Sequence, residues 1–390
     1  MLSKKSQPIF IVFFLLITSS PLYSETRLEQ RLRHDIEDYH LDFYTRVEAA
    51  FILSGADHSD TLHTYLMWYR QLLEDIREFY LDPFDRVGSA GKIFSYLHSS
   101  WLRSYEEKAT TLIDVVKEKR YNCVAGTILY NLVCEDLGFP TEAFETPTHT
   151  YTVFPNFSQR LMVENTTPMG FDIMKNLREY SEYLLQFYPD HRAAQIGLDR
   201  LHDHEFSKGR SIDNTELLGL LAYNRAYFAV KQNDFESAYD YVRLARSFNR
   251  DSRSNLDFEI ELYFRWGNRL FDAGRFHRAF DLYADARERY WENEDYAHNC
   301  KAAFFNALGF DWQNKKWGQS RRIVDRVMHL DVLSDREWEQ LEKVLQNWAN
   351  YWFAQRRKQE SLQVISFLDQ IDPGDPQLYQ FKKAVNALRE

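Results

Sequence analysis

The chain has 390 residues, 44% of them hydrophobic and 27% charged. That is too apolar for a disordered polymer and long enough for two or three domains, each with its own core. The formal charge is -10 with no basic block, which excludes the phosphate-neutralising face of a nucleic-acid binder and disfavours anionic membrane surfaces. Only 14 glycines accompany 16% aromatic residues, a balance that points to a mostly helical protein without glycine-rich phosphate loops.

Residues 1–24 read as a secretory leader. Lys4 and Lys5 precede an unbroken apolar run from Ile9 to Ile17, and Ser19, Ser20 and Ser24 supply small residues for cleavage. The run is about half the roughly 20 residues a membrane anchor requires, and no later stretch approaches that length. The expected product is exported, periplasmic or extracellular, with no membrane span. Its three cysteines, Cys123, Cys134 and Cys300, are odd in number. Cys123 and Cys134 fall on one predicted helix about 16 Å apart, beyond disulfide reach. Cys134 and Cys300 read as core residues.

From Glu25 to about Leu112 the chain is helical and aromatic-rich, with Pro83 and Gly88 as expected breaks. The segment 110–140 then reads as helix, short loop, helix. Asn122 is the predicted N-cap, which puts Cys123 in the first turn, where the positive end of the helix dipole favours a thiolate. Gly138 and Pro140 end that helix. The stretch from Thr148 to Phe154 alternates as a strand with His149, Tyr151 and Val153 on one face, and a second strand follows after a turn. If Pro155–Ser158 form that turn, Phe154 pairs with Gln159 and His149 falls opposite Glu164, the preferred register. A turn one residue longer opposes His149 with Asn165 instead.

A helix-start cysteine, a strand histidine and a following acid suit nucleophilic acyl chemistry, in which the imidazole takes the thiol proton and the carboxylate orients the imidazole. At "YNCVAGTILYNLVCEDLGFP", "THTYTVF" and "LMVENTTP" the sequence resembles the transglutaminase-like superfamily. The resemblance spans about residues 84–171, inside an expected domain of 25–200. It implies an α+β fold, mostly helical with a small antiparallel sheet, and a triad of Cys123, His149 and Glu164 with Thr166 in support. Glu164 stands where the family usually has Asp. Asn122 stands where many members have a small or polar residue, often in a Gly-x-Cys order. The Cys123 backbone N–H is the obvious oxyanion donor, and Asn122 or Tyr121 are the side-chain candidates. The resemblance implies a peptidase, amidase or acyl-transfer enzyme; the alternative is a non-catalytic adaptor with a degenerate site.

Beyond residue 215 the sequence repeats itself. Ala238, Ala279, Ser320 and Ser361 are small residues 41 apart, and Phe235, Phe276 and Trp317 precede the first three by three residues. Large apolar residues recur eight positions before each, at Val230, Phe271, Trp312 and Phe353. Such spacings describe pairs of amphipathic helices. With the small–aromatic–small order of "NRAYFAVKQNDFESAYDYVRLA" and a closing Pro373, this part is similar to tetratricopeptide repeats, with a unit of 41 rather than 34 residues. An all-α array over 215–390 implies peptide or protein partners. Asn224, Asn306 and Asn347 recur in the first helix of a unit, as peptide-binding groups or as plain polar surface. The His202–Glu205 cluster has no accompanying motif and reads as a solvated loop. No nucleotide, zinc or serine-hydrolase motif is present, so neither metal nor cofactor is expected.

Overall fold

The computed structural model describes residues 26–388, apart from 80, 147–148, 156–160 and most of 174–206. The predicted leader and most of the His202–Glu205 cluster lie outside the described residues. Helix dominates: fifteen helices and six short strands are present among the described residues. None of those helices is long and apolar enough to cross a membrane. The chain divides into two compact units, Met1–Asp251 and Ser252–Glu390.

In the first unit, helices α1 (Arg27–Asp35), α2 (Arg46–Leu53) and α5 (Leu112–Glu118) each begin at a threonine in a capping box, Thr26, Thr45 and Thr111. In each box the hydroxyl and an acid three residues later satisfy otherwise orphaned backbone donors. Helices α3 (Ser59–Arg77) and α4 (Arg86–Ser100) are longer and amphipathic. Pro83 lies between them, but Gly88 does not break the chain as expected: it sits in the first turn of α4. A Cβ there would lie 2.2 Å from the Asp85 carboxylate, which caps the helix by accepting from the Gly88 N–H. The glycine makes room for a start signal.

These helices surround α6 (Cys123–Asp136), whose residues Val124 to Cys134 are all buried. No polar stripe runs along α6 because it has no solvent face. Tyr130 donates to the Ala90 carbonyl of α4 (3.0 Å). On another side lies an antiparallel sheet in the order β5-β4-β3-β6: β3 Glu142–Glu145, β4 Thr150–Phe154, β5 Leu161–Val163 and β6 Arg210–Ile212. A separate parallel pair joins β1 (Ser104–Tyr105) to β2 (Arg120–Tyr121), with Tyr105 opposite Tyr121.

The register of β4 and β5 differs from both expected ones. Phe154 pairs with Leu161, not Gln159. Six residues, 155–160, connect the strands, and pairing begins only where the apolar Leu161, Met162 and Val163 begin, all buried. Continued in this register, His149 is opposite Thr166. The shift from the preferred register is two residues, so the face each side chain occupies is unchanged.

The first unit also contains the first helix pair of the sequence repeat, α7 (Asn214–Lys231) and α8 (Phe235–Phe248). The expected domain edge at 200–215 and the structural division at 251 therefore differ. β6 extends the sheet, and Leu217, Leu218 and Leu221 enter the same core as α6. Arg225 on α7 bonds Glu29 and the Leu53 carbonyl, both at 2.9 Å, so α1 and α2 are fastened to this pair as well.

The second unit holds three further pairs, Arg253–Asp272 with Phe276–Arg289, Glu294–Asn314 with Trp317–Val327, and Asp335–Ala354 with Lys358–Ile371, and a last helix, Pro376–Asn386. The second helix of every pair, α8 included, starts 41 residues after the one before. Ala238, Ala279, Ser320 and Ser361 are each fully buried. The turn inside each pair carries one left-handed residue at the same position: Asn233 (φ 60°), Gly274 (68°), Lys315 (55°) and Arg356 (57°). Within the second unit neighbouring pairs are joined by Arg322 to Asp281 (2.7 Å), and by His277 to the buried Asp311 (2.9 Å), which also accepts from Ser320.

Candidate active site

Cys123 opens α6. Asn122 caps it, its side-chain oxygen accepting from the Ala125 N–H (3.0 Å). The Cys123 N–H, in the first turn, receives no carbonyl from the helix itself. His149 stands just before β4. Its backbone is held by Thr146, whose hydroxyl accepts from the His149 N–H (3.0 Å) and whose N–H donates to the His149 carbonyl (2.8 Å). Glu164 stands just after β5, and its N–H donates to the Gly170 carbonyl (2.9 Å). A Cβ on Gly170 would fall 1.9 Å from the Glu164 carbonyl oxygen, so only glycine permits this return of the chain.

These three residues, distant in sequence, meet. His149 Nε2 and Glu164 Oε2 are 2.6 Å apart, with side chains 1% and 0% exposed. The other carboxylate oxygen accepts from the Thr166 hydroxyl (2.6 Å) and N–H (3.1 Å). Cys123 lies close enough to the His149 ring to raise its affinity for a proton. Nε2 is taken by Glu164, which leaves Nδ1 as the other basic nitrogen of the ring. Burial alone would strip the imidazole of a proton, but the Glu164 charge, the bond to Glu164 and the nearby Cys123 outweigh it, holding His149 well above its usual value. Cys123 is half-buried, while Cys134 and Cys300 are buried; all three are free. Burial pushes the Cys134 thiol up, and Cys300 up to about 12, so neither is a nucleophile at neutral pH.

The two side-chain oxyanion candidates are engaged elsewhere. Asn122 serves as the cap, and its amide points to the Glu107 carbonyl at 3.4 Å. The Tyr121 hydroxyl donates to the Thr166 carbonyl (3.1 Å). The backbone N–H of Cys123 is what remains. Of the possible groove residues, Asn224 belongs to the first unit, whereas Asn306 and Asn347 are exposed in the second. The Asn306 amide is spent on the Ala302 carbonyl of its own helix (2.8 Å).

Two residues near the site carry no signal in the sequence. Tyr105 is 36% exposed, and its ring lies edge-on to Tyr121 (6.0 Å). Burial, and then the nearby Cys123 and Glu164, raise its phenol and keep it protonated. It reaches this place through a two-residue parallel strand, too short to leave a periodic pattern. His98 lies behind the site, 6% exposed, 4.3 Å from the Phe94 ring and 5.9 Å from Tyr121. Burial lowers it to about 4, so it is a neutral ring at physiological pH. Among the described residues no three His, Cys, Asp or Glu side chains are grouped to hold a metal ion.

Compared with known proteins, the sequence matches no family model and no curated protein.

Proposed function

We propose that this chain is an exported thiol enzyme of the transglutaminase-like type that acts on amide bonds, with its helix pairs serving to bind peptide or protein partners. The observation that carries this reading is the gathering of Cys123, His149 and Glu164, in which a half-buried thiol lies near a wholly buried imidazole whose Nε2 is 2.6 Å from a carboxylate. A merely structural histidine has no need of both a buried acid on Nε2 and a thiol beside the ring.

Cys123 Sγ attacks the amide carbonyl carbon with its proton already resting on the His149 ring, which the Glu164 charge holds in the protonated form. The Cys123 N–H stabilises the tetrahedral oxyanion. Collapse breaks the C–N bond, the amine leaves with the proton from His149, and a thioester remains. Water then gives its proton to His149 and attacks the thioester, releasing the acid and leaving the imidazole protonated beside the sulfur, as at the start. An amine in place of water yields a new amide. Glu164, fixed by Thr166, keeps the imidazole oriented through both halves.

A second reading, a non-catalytic adaptor, draws support from the engagement of Asn122 and Tyr121, which occupies both side-chain oxyanion candidates elsewhere. Alkylation by iodoacetamide separates the two. The enzyme reading expects Cys123 to react at pH 7 at least about tenfold faster than a free thiol, and expects His149→Ala to abolish that advantage while Cys134 and Cys300 stay unmodified in the folded protein. Reaction of Cys123 at the free-thiol rate, unchanged by His149→Ala, leaves the adaptor.

A further inference from the structure

Asn165, the residue beside the acid, has its own role in the structure, and it is not the one its position opposite His149 in an alternative register would have suggested. Its side chain is 0% exposed. The amide nitrogen donates to the Thr152 hydroxyl (2.9 Å) and lies within 3.3 Å of both the Thr127 hydroxyl and the Val163 carbonyl. Thr127 is one turn beyond Cys123 on α6. Thr152 is three residues beyond His149 on β4. Val163 ends β5, next to Glu164. One amide thus spans the three elements that bear the cysteine, the histidine and the acid. Gly126 permits the approach: a Cβ there would be 3.3 Å from the Asn165 carbonyl oxygen and 3.1 Å from the Tyr121 ring.

The amide also heads a chain of buried bonds running in one direction. The Thr152 hydroxyl donates to Asn131 Oδ1 (2.5 Å), Asn131 Nδ2 to Asn214 Oδ1 (2.7 Å), and Asn214 Nδ2 to the Thr141 carbonyl (2.9 Å). Bonds in such a row polarise one another in a low-dielectric interior. Asn165 Oδ1, by contrast, is buried with no hydrogen-bond partner among the described residues, which costs about 1–3 kcal/mol. For stability alone a leucine of similar shape would serve better. The amide is retained at a cost, and its nitrogen is the end in use.

We propose that Asn165 is the positioning residue of the site: it sets the spacing of Cys123, His149 and Glu164 by tying their three elements together, and through Thr152, Asn131 and Asn214 it ties them to the start of α7. The proposal rests on the thiol-enzyme reading above. Asn165 touches no reacting atom; it acts through Thr127 and Thr152.

The test uses the full chain and the pH profile of Cys123 alkylation by iodoacetamide, with the thermal midpoint measured alongside. Asn165→Leu and Thr127→Val should slow alkylation at pH 7 by about tenfold to a hundredfold, the usual effect of a misplacement near 1 Å, and move the profile to higher pH. Thr127→Ser, which keeps the hydroxyl, should restore the wild-type profile. A lowered thermal midpoint with an unchanged profile in Thr127→Val and Thr152→Val overturns the proposal, because the amide is then a fold element only; these two variants decide the matter if Asn165→Leu does not fold. A wild-type profile indifferent to His149→Ala overturns the enzyme reading itself, a result distinct from a triad that works without Asn165.

Discussion

At the scale of single residues, two buried histidines among the described residues of the first unit have opposite charge preferences. His149 keeps its proton because a carboxylate shares its burial and bonds its ring, whereas at His98 burial outweighs the Leu102 backbone and the Glu164 charge and lowers the ring to about 4. The unfolded chain takes up a proton on residue 98 near pH 6.5, and the folded chain does so only near pH 4. Its contribution to stability is therefore intact above pH 6.5 and is lost as pH falls through that window. The shift amounts to about 3 kcal/mol. Urea unfolding at pH 7 and pH 4 should show wild type losing about that much more stability than His98→Phe, which fills the site beside Phe94 with a ring that does not titrate. Equal losses would mean that the ring meets solvent or a charge on protonation.

At the scale of elements, the loop that returns from Glu164 to Phe171 depends on the absence of two atoms. Gly170→Ala drives a methyl against the Glu164 backbone, where no side chain can give way. It should cost several kcal/mol, about the size of a severe core lesion, and should abolish enhanced Cys123 reactivity. Gly126→Ala faces contacts of 3.1 and 3.3 Å, which small shifts relieve, so it should cost about 1–2 kcal/mol. Chemical denaturation ranks the two. The helix-pair turns respond to a different force. Nothing lies within 4 Å of where a Gly274 side chain would begin, yet its φ is +68°. Gly274→Ala should lose about 1 kcal/mol from backbone conformation alone, read as a lower urea midpoint of the second unit.

The cysteine helix and its cap were legible because Asn122 followed by an apolar run is a local pattern, and the acid-bearing strand because Leu161 to Val163 are apolar. The pairing register was not legible, because the length of the connection after Phe154 is not determined by the residues in it. Asn165 and Tyr105 were harder still. The partners that give them meaning are remote: Thr127 and Thr152 lie 38 and 13 residues from Asn165, and Tyr121 faces Tyr105 across a strand pair only two residues long. The left-handed turn residues repeat faithfully every 41 positions, but their identities, Asn, Gly, Lys and Arg, share no chemistry that a sequence comparison would register.

At the scale of the whole molecule, the self-similar half of the sequence and the structural division do not coincide. Residues 26–251 should fold alone, keeping α7 and α8 in place. Ending the chain at 213 should not give a folded product, because it uncovers Leu217's, Leu218's and Leu221's partners in the core and leaves Asn131 without Asn214. Circular dichroism and thermal unfolding of the two fragments check this; a cooperative transition in the shorter one would show that the first helix pair is dispensable.

The recurring turns have a consequence for how such a chain can change over generations. From Arg253 to Ile371 each step of 41 residues restores the same helix start, the same buried small side chain and the same left-handed turn. Duplicating or deleting one whole step there alters length without altering any local grammar. The same event at α7 and α8 would remove helices that complete the core around α6 and the Asn214 partner of Asn131. One part of the protein is free to grow and shrink by counting, and the other is fixed in number.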